Sequence, residues 1–163
     1  MSTAAAPFTD TATKVKTYAK NIAIPLVLGT VVGLLTRPGE AFDSLTKPPL
    51  APPAILFPIV WSILYTLMGV SYSRLELRRL NDDGTKLIYY TQLVFNLLWP
   101  IAFFALGWRL FALIWIVVLD LLVAAMVVRF YKSEKLSGQL QIPYLIWVLF
   151  ATYLNAGFYV LNR

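Results

Sequence analysis

The sequence of 163 residues contains neither cysteine nor histidine. The absence of cysteine excludes disulfide bonds and a thiol nucleophile, and the two absences together exclude zinc sites of the usual kind. A histidine general base and histidine or cysteine ligation of haem iron are excluded as well. We therefore expect no metal site, no required cofactor and no catalytic residue of these classes.

Charged residues are also scarce, at 13% of the chain, where about 25% is usual for a soluble protein. None occurs in residues 21–36, 48–73, 87–108 or 136–162, and residues 110–128 contain one, Asp120. A helix crosses a bilayer with about 20 apolar residues. The sequence thus predicts an all-α membrane protein, a bundle of five transmembrane helices at about residues 21–36, 53–75, 87–106, 110–131 and 140–161.

The first 20 residues are rich in Ala, Thr and Ser and show no apolar period. We interpret residues 1–20 as an N-terminal tail and residues 21–163 as the five-helix domain. With the first span behind it, the tail also resembles a signal peptide, but no clear small-residue cleavage site follows Leu35. Within that span, Gly29 and Gly33 form a GxxxG pattern, which predicts a close helix–helix contact.

The net charge of +6 is distributed over short loops and does not form one basic stripe, which argues against nucleic-acid binding. Ten of the 14 basic residues belong to the N-terminus and to the second and fourth loops: Lys14, Lys16, Lys20, Arg74, Arg78, Arg79, Lys86, Arg129, Lys132 and Lys135. Basic loops stay on the cytoplasmic side. We therefore predict that the N-terminus is inside and the C-terminus outside.

The loop before the second span carries the prolines Pro48, Pro49, Pro52 and Pro53 in the stretch "KPPLAPP". Each proline restricts its own φ and biases the preceding residue toward extended geometry, so the loop loses little entropy when it becomes ordered. The stretch predicts a semi-rigid cover over the helix ends. Alternatively, Pro52 and Pro53 merely mark the start of the second helix.

Three predicted helices carry aromatic residues in line with polar or small ones. Trp61 and Tyr65 are four apart, Gln92 and Asn96 are four apart with Trp99 three further on, and Trp147, Ala151 and Asn155 follow at intervals of four. Polar groups in a membrane face the bundle interior. The stripes either hold the helices together by hydrogen bonds or line an apolar pocket for a flat aromatic ligand.

Asp120 lies in the middle of the fourth predicted helix, where an ionisable residue is a functional candidate. Its alternative role is a hydrogen bond to a neighbouring helix. A small multidrug-type transporter coupled through Asp120 is one alternative function for the chain.

The C-terminal residues Leu154, Tyr159 and Arg163 match a pattern proposed for cholesterol contact, which many helix ends satisfy. They are a candidate sterol motif.

Three stretches, "SLTKPPLAPPAILFPIVWSILYTLMG", "QLVFNLLWPIAFF" and "IPYLIWVLFATYLN", resemble the TspO/translocator protein family, also called the peripheral benzodiazepine receptor family. The resemblance covers the first loop and predicted helices 2, 3 and 5. It implies a five-helix bundle around a pocket that opens toward the first loop, in a bacterial envelope membrane or the mitochondrial outer membrane. Homodimers are expected.

The same resemblance implies binding of protoporphyrin IX or another tetrapyrrole, of isoquinoline carboxamide-type drugs, and of cholesterol or another lipid, with a role in porphyrin transport or stress regulation. Its pocket positions fall on the residues Trp61, Tyr65, Asn96, Trp99, Trp147, Ala151 and Leu154. The lid of the pocket falls on the loop residues Lys47, Pro48, Leu50, Pro52 and Pro53.

The chain departs from the family pattern in the first loop. Leu50 replaces a tryptophan, Ile55 follows the prolines, and Ala41 and Phe42 stand where Trp–Tyr is common. The resemblance implies that the loop tryptophan and the residue matching Trp147 take part in light-dependent porphyrin degradation by some bacterial members. We therefore expect binding, and we keep a porphyrin-degrading enzyme as an alternative.

Overall fold

The computed structural model describes residues 10–163, which form seven α-helices and one π-helical turn and contain no β-strand. The helices are α1 (Thr11–Leu35), α2 (Glu40–Asp43), α3 (Leu56–Leu77), α4 (Asp83–Pro100), α5 (Arg109–Ser133), α6 (Lys135–Gln139) and α7 (Ile142–Leu161). Five segments are long and apolar enough to cross a membrane: α1, α3, α4 with the π turn, α5, and α6 with α7. The predicted five-helix membrane bundle is confirmed.

The first helix begins at Thr11, so the prediction of a tail is wrong for residues 11–20; residues 1–9 lie outside the described part of the chain. The polar start of α1 is tied to the inner end of α3. Lys20 Nζ lies 2.7 Å from Glu76 Oε1, and the amide of Asn21 donates to Glu76 Oε2 at 2.6 Å. The pattern of apolar residues along the chain does not reveal such polar pairs between helices.

Helix boundaries follow capping residues and proline. The side chain of Asp82 accepts a hydrogen bond from the Thr85 amide (2.8 Å) and caps α4, which therefore starts at residue 83 and not at 87 as predicted. The α-helical part of α4 ends at Pro100, and the π-helical turn Ile101–Ala105 completes the span. The predicted fifth span, about residues 140–161, corresponds to α7, and the short helix α6 precedes it with a break at residues 140–141.

The helices pack in a simple order: α1 lies on α3, and α5 packs on both α4 and α7. Gly69 allows α1 and α3 to approach closely, since a Cβ at that position would lie 2.5 Å from the backbone oxygen of Asn21. The main apolar core lies between α3, α4, α5 and α7, and includes Met68, Leu75 and Val123. Large apolar side chains cover the outside of the bundle, as expected of a surface that faces lipid.

Candidate functional site

The aromatic stripe on α3 faces the interior of the bundle. The ring of Trp61 lies 5.2 Å from that of Tyr65 at a 30° angle, and 6.1 Å from that of Tyr144 on α7 in an edge arrangement. Tyr65 is buried and Trp61 is partly buried. The inward orientation predicted from helical spacing is therefore present, and the role of both residues in a ligand pocket stays a prediction.

A continuous set of hydrogen bonds joins α3, α4 and α7. The Tyr65 hydroxyl donates to Asn96 Oδ1 (2.7 Å), and Asn96 Nδ2 donates to the Tyr144 hydroxyl (3.1 Å). That hydroxyl donates to Gln92 Oε1 (2.8 Å), and Gln92 Nε2 reaches Met68 Sδ at 3.4 Å. All five side chains are buried. We call these residues the interior network.

Tyr65 can occupy its position because Gly29 on α1 has no side chain. A Cβ at Gly29 would lie 2.1 Å from Tyr65 Cε2, whereas nothing lies within 4 Å of a Cβ at Gly33. Of the two glycines of the GxxxG pattern, only Gly29 therefore makes a close helix contact.

Trp99 belongs to a second group of aromatic rings, at the outer end of the bundle. It stacks on Phe103 at 5.0 Å and 15°. The π turn carries Phe103 and Phe104, and both contact Phe42 from the first loop, at 5.9 and 5.0 Å. The outer aromatic cluster consists of Phe42, Trp99, Phe103, Phe104 and Phe158.

The remaining predicted pocket residues lie along α7. Trp147 contacts Phe57 at 5.9 Å, and its indole ring borders a groove between α3 and α7 of about 410 Å³. The other walls of the groove are apolar: Val60, Ile63, Leu64, Pro143, Ile146 and Phe150. Ala151 is partly buried against the main core and Leu154 is buried.

Two indole N–H groups in this region are buried without a hydrogen-bond acceptor in the described part of the chain, those of Trp99 and Trp147. An unpaired buried donor costs about 1–3 kcal/mol. Both indoles therefore present a donor that an acceptor on a bound molecule would satisfy.

The first loop is fastened to the outer half of α7. Pro48 is buried and lies against Gly157, where a Cβ would be 2.5 Å from Pro48 Cβ. The Tyr153 hydroxyl donates to the carbonyl of Pro49 (2.9 Å). Pro52 is partly buried, whereas Lys47 and Pro53 are exposed. The first loop is thus an ordered segment held along α7, and its role as a lid stays a prediction.

Leu50 points away from the bundle. The Ala51 amide donates to the carbonyl of Pro48 (3.2 Å) and closes a turn in which Leu50 has a φ of 64°. This is the second central position of a type II turn, which glycine usually occupies; leucine there costs about 1–2 kcal/mol. The side chain of Leu50 is 80% exposed, so the structure does not bring it over the interior network.

Asp120 joins α5 to α7. Thr152 Oγ1 donates to Asp120 Oδ2 at 2.7 Å, while Oδ1 is buried and has no partner among residues 10–163. The neighbouring Asn155 is buried with both side-chain polar atoms unpaired in the same range. The arrangement is that of an interhelical hydrogen bond, the alternative that the sequence left open.

The candidate sterol motif does not form one surface. Leu154 is buried, whereas Arg163 is exposed and its guanidinium lies 5.1 Å from the centre of the Tyr159 ring. No group of three or more acidic residues that could hold a metal ion occurs within residues 10–163.

Sequence reasoning did not single out Tyr144, the residue that links α7 to the interior network. A signal was present, because Tyr144 precedes Trp147 by three residues and so lies on the same side of the helix. The sequence marked Phe42 only as a departure from the family pattern and did not predict its contacts in the outer aromatic cluster.

Comparison with known proteins gives a consistent result. The sequence profile of the TspO/MBR family matches residues 21–161. The chain is 40% identical to "Tryptophan-rich sensory protein" of Cereibacter sphaeroides, over 76% of this chain and 77% of the relative. It is 37% identical to "Protein CrtK" of Rhodobacter capsulatus, over 80% and 83%, and 34% identical to "Translocator protein" of Homo sapiens, over 78% and 80%.

Proposed function

This chain belongs to the TspO/MBR family of membrane proteins, and we propose that it binds protoporphyrin IX or a similarly flat, hydrophobic tetrapyrrole within its helix bundle. The observation that carries this proposal is the pair of buried, unpaired indole N–H groups of Trp99 and Trp147. Buried polar groups in proteins are almost always paired. A tetrapyrrole brings both a flat apolar face for the indole rings and acceptor atoms for their N–H groups.

The surroundings of Trp147 support this assignment. Its groove of about 410 Å³ falls within the range of about 300–1,000 Å³ that is usual for small-molecule sites. Trp61 and Tyr65 follow the groove residues Val60 and Leu64 directly along α3, and the Tyr65 hydroxyl donates to Asn96 at 2.7 Å. In this arrangement the aromatic rings supply apolar contact, and Asn96 keeps Tyr65 in place.

A titration with protoporphyrin IX in the dark tests the proposal, with porphyrin absorbance as the signal. Trp147→Phe removes one N–H donor, whose hydrogen bond is worth about 0.5–1.5 kcal/mol, so affinity should fall about 2- to 10-fold. Ala151→Leu overpacks the same side of α7 at a cost of about 1–3 kcal/mol and should weaken binding by at least about 5-fold.

Trp108→Phe is the matched control, because Trp108 is 56% exposed in the loop before α5, and its affinity should equal that of the wild type. Unchanged affinity in both Trp147→Phe and Ala151→Leu would place the porphyrin elsewhere. Far-UV circular dichroism of each variant verifies that the helical bundle is retained.

Two other functions rank below binding. A light-dependent porphyrin-degrading enzyme is disfavoured because Leu50 replaces the loop tryptophan and points outward. A transporter coupled through Asp120 is disfavoured because this carboxyl group pairs with Thr152 between two helices. Decay of porphyrin absorbance under illumination would favour the enzyme. Ion-dependent flux that is lost in Asp120→Asn would favour the transporter.

A further inference from the structure

The loop that precedes α3 runs alongside the outer half of α7. We call residues 46–56 the proline segment. At its start, the amide of Thr46 donates to Asn162 Oδ1 (2.8 Å) and Asn162 Nδ2 donates to the Thr46 carbonyl (3.0 Å). At its end, Phe57 contacts Trp147.

These contacts set the depth of the segment. Trp147 precedes Asn162 by fifteen residues of α7, which is about 22 Å along a helix that rises 1.5 Å per residue. The contact of Pro48 with Gly157 lies about 7 Å below Asn162 on the same scale. The proline segment therefore descends along α7 and does not lie across its end.

Asn162 marks the outer edge of the bundle. Its carbonyl accepts a hydrogen bond from Arg109 NH1 (3.3 Å) at the start of α5. Two further charged residues are close: Arg163 follows Asn162 in the chain, and Lys47 follows Thr46, which is hydrogen-bonded to Asn162. Charged groups collect at the water boundary of a membrane protein. Because the hydrocarbon core is about 30 Å thick, the descent from Pro48 to Leu56 falls within this core.

The exposed surface of residues 48–56 is apolar. Leu50 is 80% exposed and Ile55 is 69% exposed, and no charge occurs between Lys47 and Arg74. Ile55 continues along α3 into Ile59 and Ile63, which are 52% and 55% exposed and spaced by four residues. The surface of the segment is thus continuous with the lipid-facing side of α3.

The prolines reduce the difficulty of non-helical backbone at this depth. Each of Pro48, Pro49, Pro52 and Pro53 lacks an N–H group, so the segment has four fewer donors to satisfy in hydrocarbon. The amides of Ala51 and Leu56 donate to Pro48 and Pro53 (3.2 and 3.0 Å).

We propose that residues 48–56 are embedded in the bilayer and that the exposed side chains among them face lipid acyl chains, with Leu50 in the leaflet on the C-terminal side of the bundle. The positive φ of Leu50 turns its side chain outward into that leaflet. This surface lies on the outside of the bundle, and its test requires no porphyrin.

Single cysteines test this, because the wild-type chain contains none. Leu50→Cys and Ile55→Cys are labelled with a nitroxide in phosphatidylcholine vesicles, and collisions with oxygen and with a water-soluble nickel complex are compared by spin resonance. Ile59→Cys is the lipid-facing reference and Asp43→Cys the aqueous one. Labels at positions 50 and 55 should resemble the label at 59, with oxygen collisions several-fold more frequent than nickel collisions.

A second readout uses a membrane-impermeant maleimide on the same four unlabelled variants. Cysteines at positions 50 and 55 should react at least about 10-fold more slowly than the cysteine at 43, since a thiol in hydrocarbon does not ionise. All four should react equally after denaturation. A label at position 50 or 55 that behaves like the one at 43, in either readout, would overturn the proposal.

Discussion

At the scale of single residues, the interior of the bundle depends on one small residue and one amide. Gly29 leaves the space that the Tyr65 ring fills. Asn96 then accepts from Tyr65 and donates to Tyr144, so that one side chain joins three helices. A polar group buried in a membrane is costly unless it is paired, and Asn96 pairs two hydroxyls at once.

Gly29→Ala should displace Tyr65, because the added Cβ would lie 2.1 Å from the ring. Overpacking of this kind lowers the free energy of unfolding by about 1–3 kcal/mol. Gly33→Ala is the matched control, since nothing lies within 4 Å of its added Cβ. Thermal unfolding in detergent, followed by circular dichroism, should show a lower Tm for Gly29→Ala alone. Equal Tm values would mean that α1 does not constrain Tyr65.

Asn96→Leu removes both hydrogen bonds of the central amide and leaves the hydroxyl of Tyr65 without its acceptor. A buried polar group left unsatisfied costs about 1–3 kcal/mol. Tyr65→Phe should cost less in the wild type and nothing further in the Asn96→Leu background. A double-mutant cycle on the free energy of unfolding measures this coupling, and strict additivity of the two changes would contradict the network.

At the scale of secondary-structure elements, the inner end of the bundle is held by a junction between α3 and α6. Glu134 caps α6 by accepting from the Ser137 amide (2.9 Å). It also accepts from Arg74 Nε (3.1 Å), and Arg78 NH1 lies 3.4 Å away. The hydrogen bond from Arg74 is the main reason why the pKa of Glu134 is lowered to about 2.

Stability should therefore depend on pH through Glu134. A carboxyl group whose pKa is lowered in the folded state stabilises that state fully at pH values above its pKa in the unfolded chain, here 4.5. This contribution is lost as the pH falls toward about 2. Glu134→Gln should lower the Tm at pH 7, and its difference from the wild type should shrink between about pH 4.5 and 2. Asp83→Asn, whose side chain is fully exposed, should show little difference at any pH. If the Tm difference between Glu134→Gln and the wild type does not change with pH, the ion pair of Glu134 with Arg74 does not account for the pH dependence of stability.

At the scale of the whole molecule, five spans place the two ends of the described chain on opposite sides of the membrane. The residues between α3 and α4 and those around α6 lie at the inner end, where Arg129 pairs with Asp82 at 2.7 Å and Arg74 with Glu134. The loop that contains α2 lies at the other end, beside Asn162. This division groups the predicted basic segments at one end of the bundle, and the assignment of that end to the inside stays a prediction.

Cysteine labelling checks that topology. In sealed, oriented vesicles an impermeant maleimide should label Asp83→Cys and Ser133→Cys from one side and Asp43→Cys from the other. All three side chains are exposed, so that access depends only on the side. Labelling of Asp83→Cys and Asp43→Cys from the same side would contradict the five-span topology.

Much of the fold could be predicted because it depends on local properties of the chain. Each span is an apolar run with few or no charges that is long enough for a bilayer, and this property belongs to one helix at a time. The stripes of Trp61 with Tyr65 and of Gln92 with Asn96 follow from helical spacing alone, as does their orientation toward the interior. The family is recognisable for a related reason, because its motifs are contiguous stretches.

The tertiary structure decided what depends on contacts between distant residues. Tyr144 joins the interior network, and Phe158 joins the outer aromatic cluster, only because α7 packs against α4 and the π turn in one register. The outward direction of Leu50 comes from a turn closed by its neighbours, and the descent of the proline segment comes from its contacts with Gly157 and Tyr153 on α7. Apolar patterning determines which segments enter the membrane; only the register between helices determines the depth of each residue and its hydrogen-bond partners, because that register is set by side chains far apart in the chain.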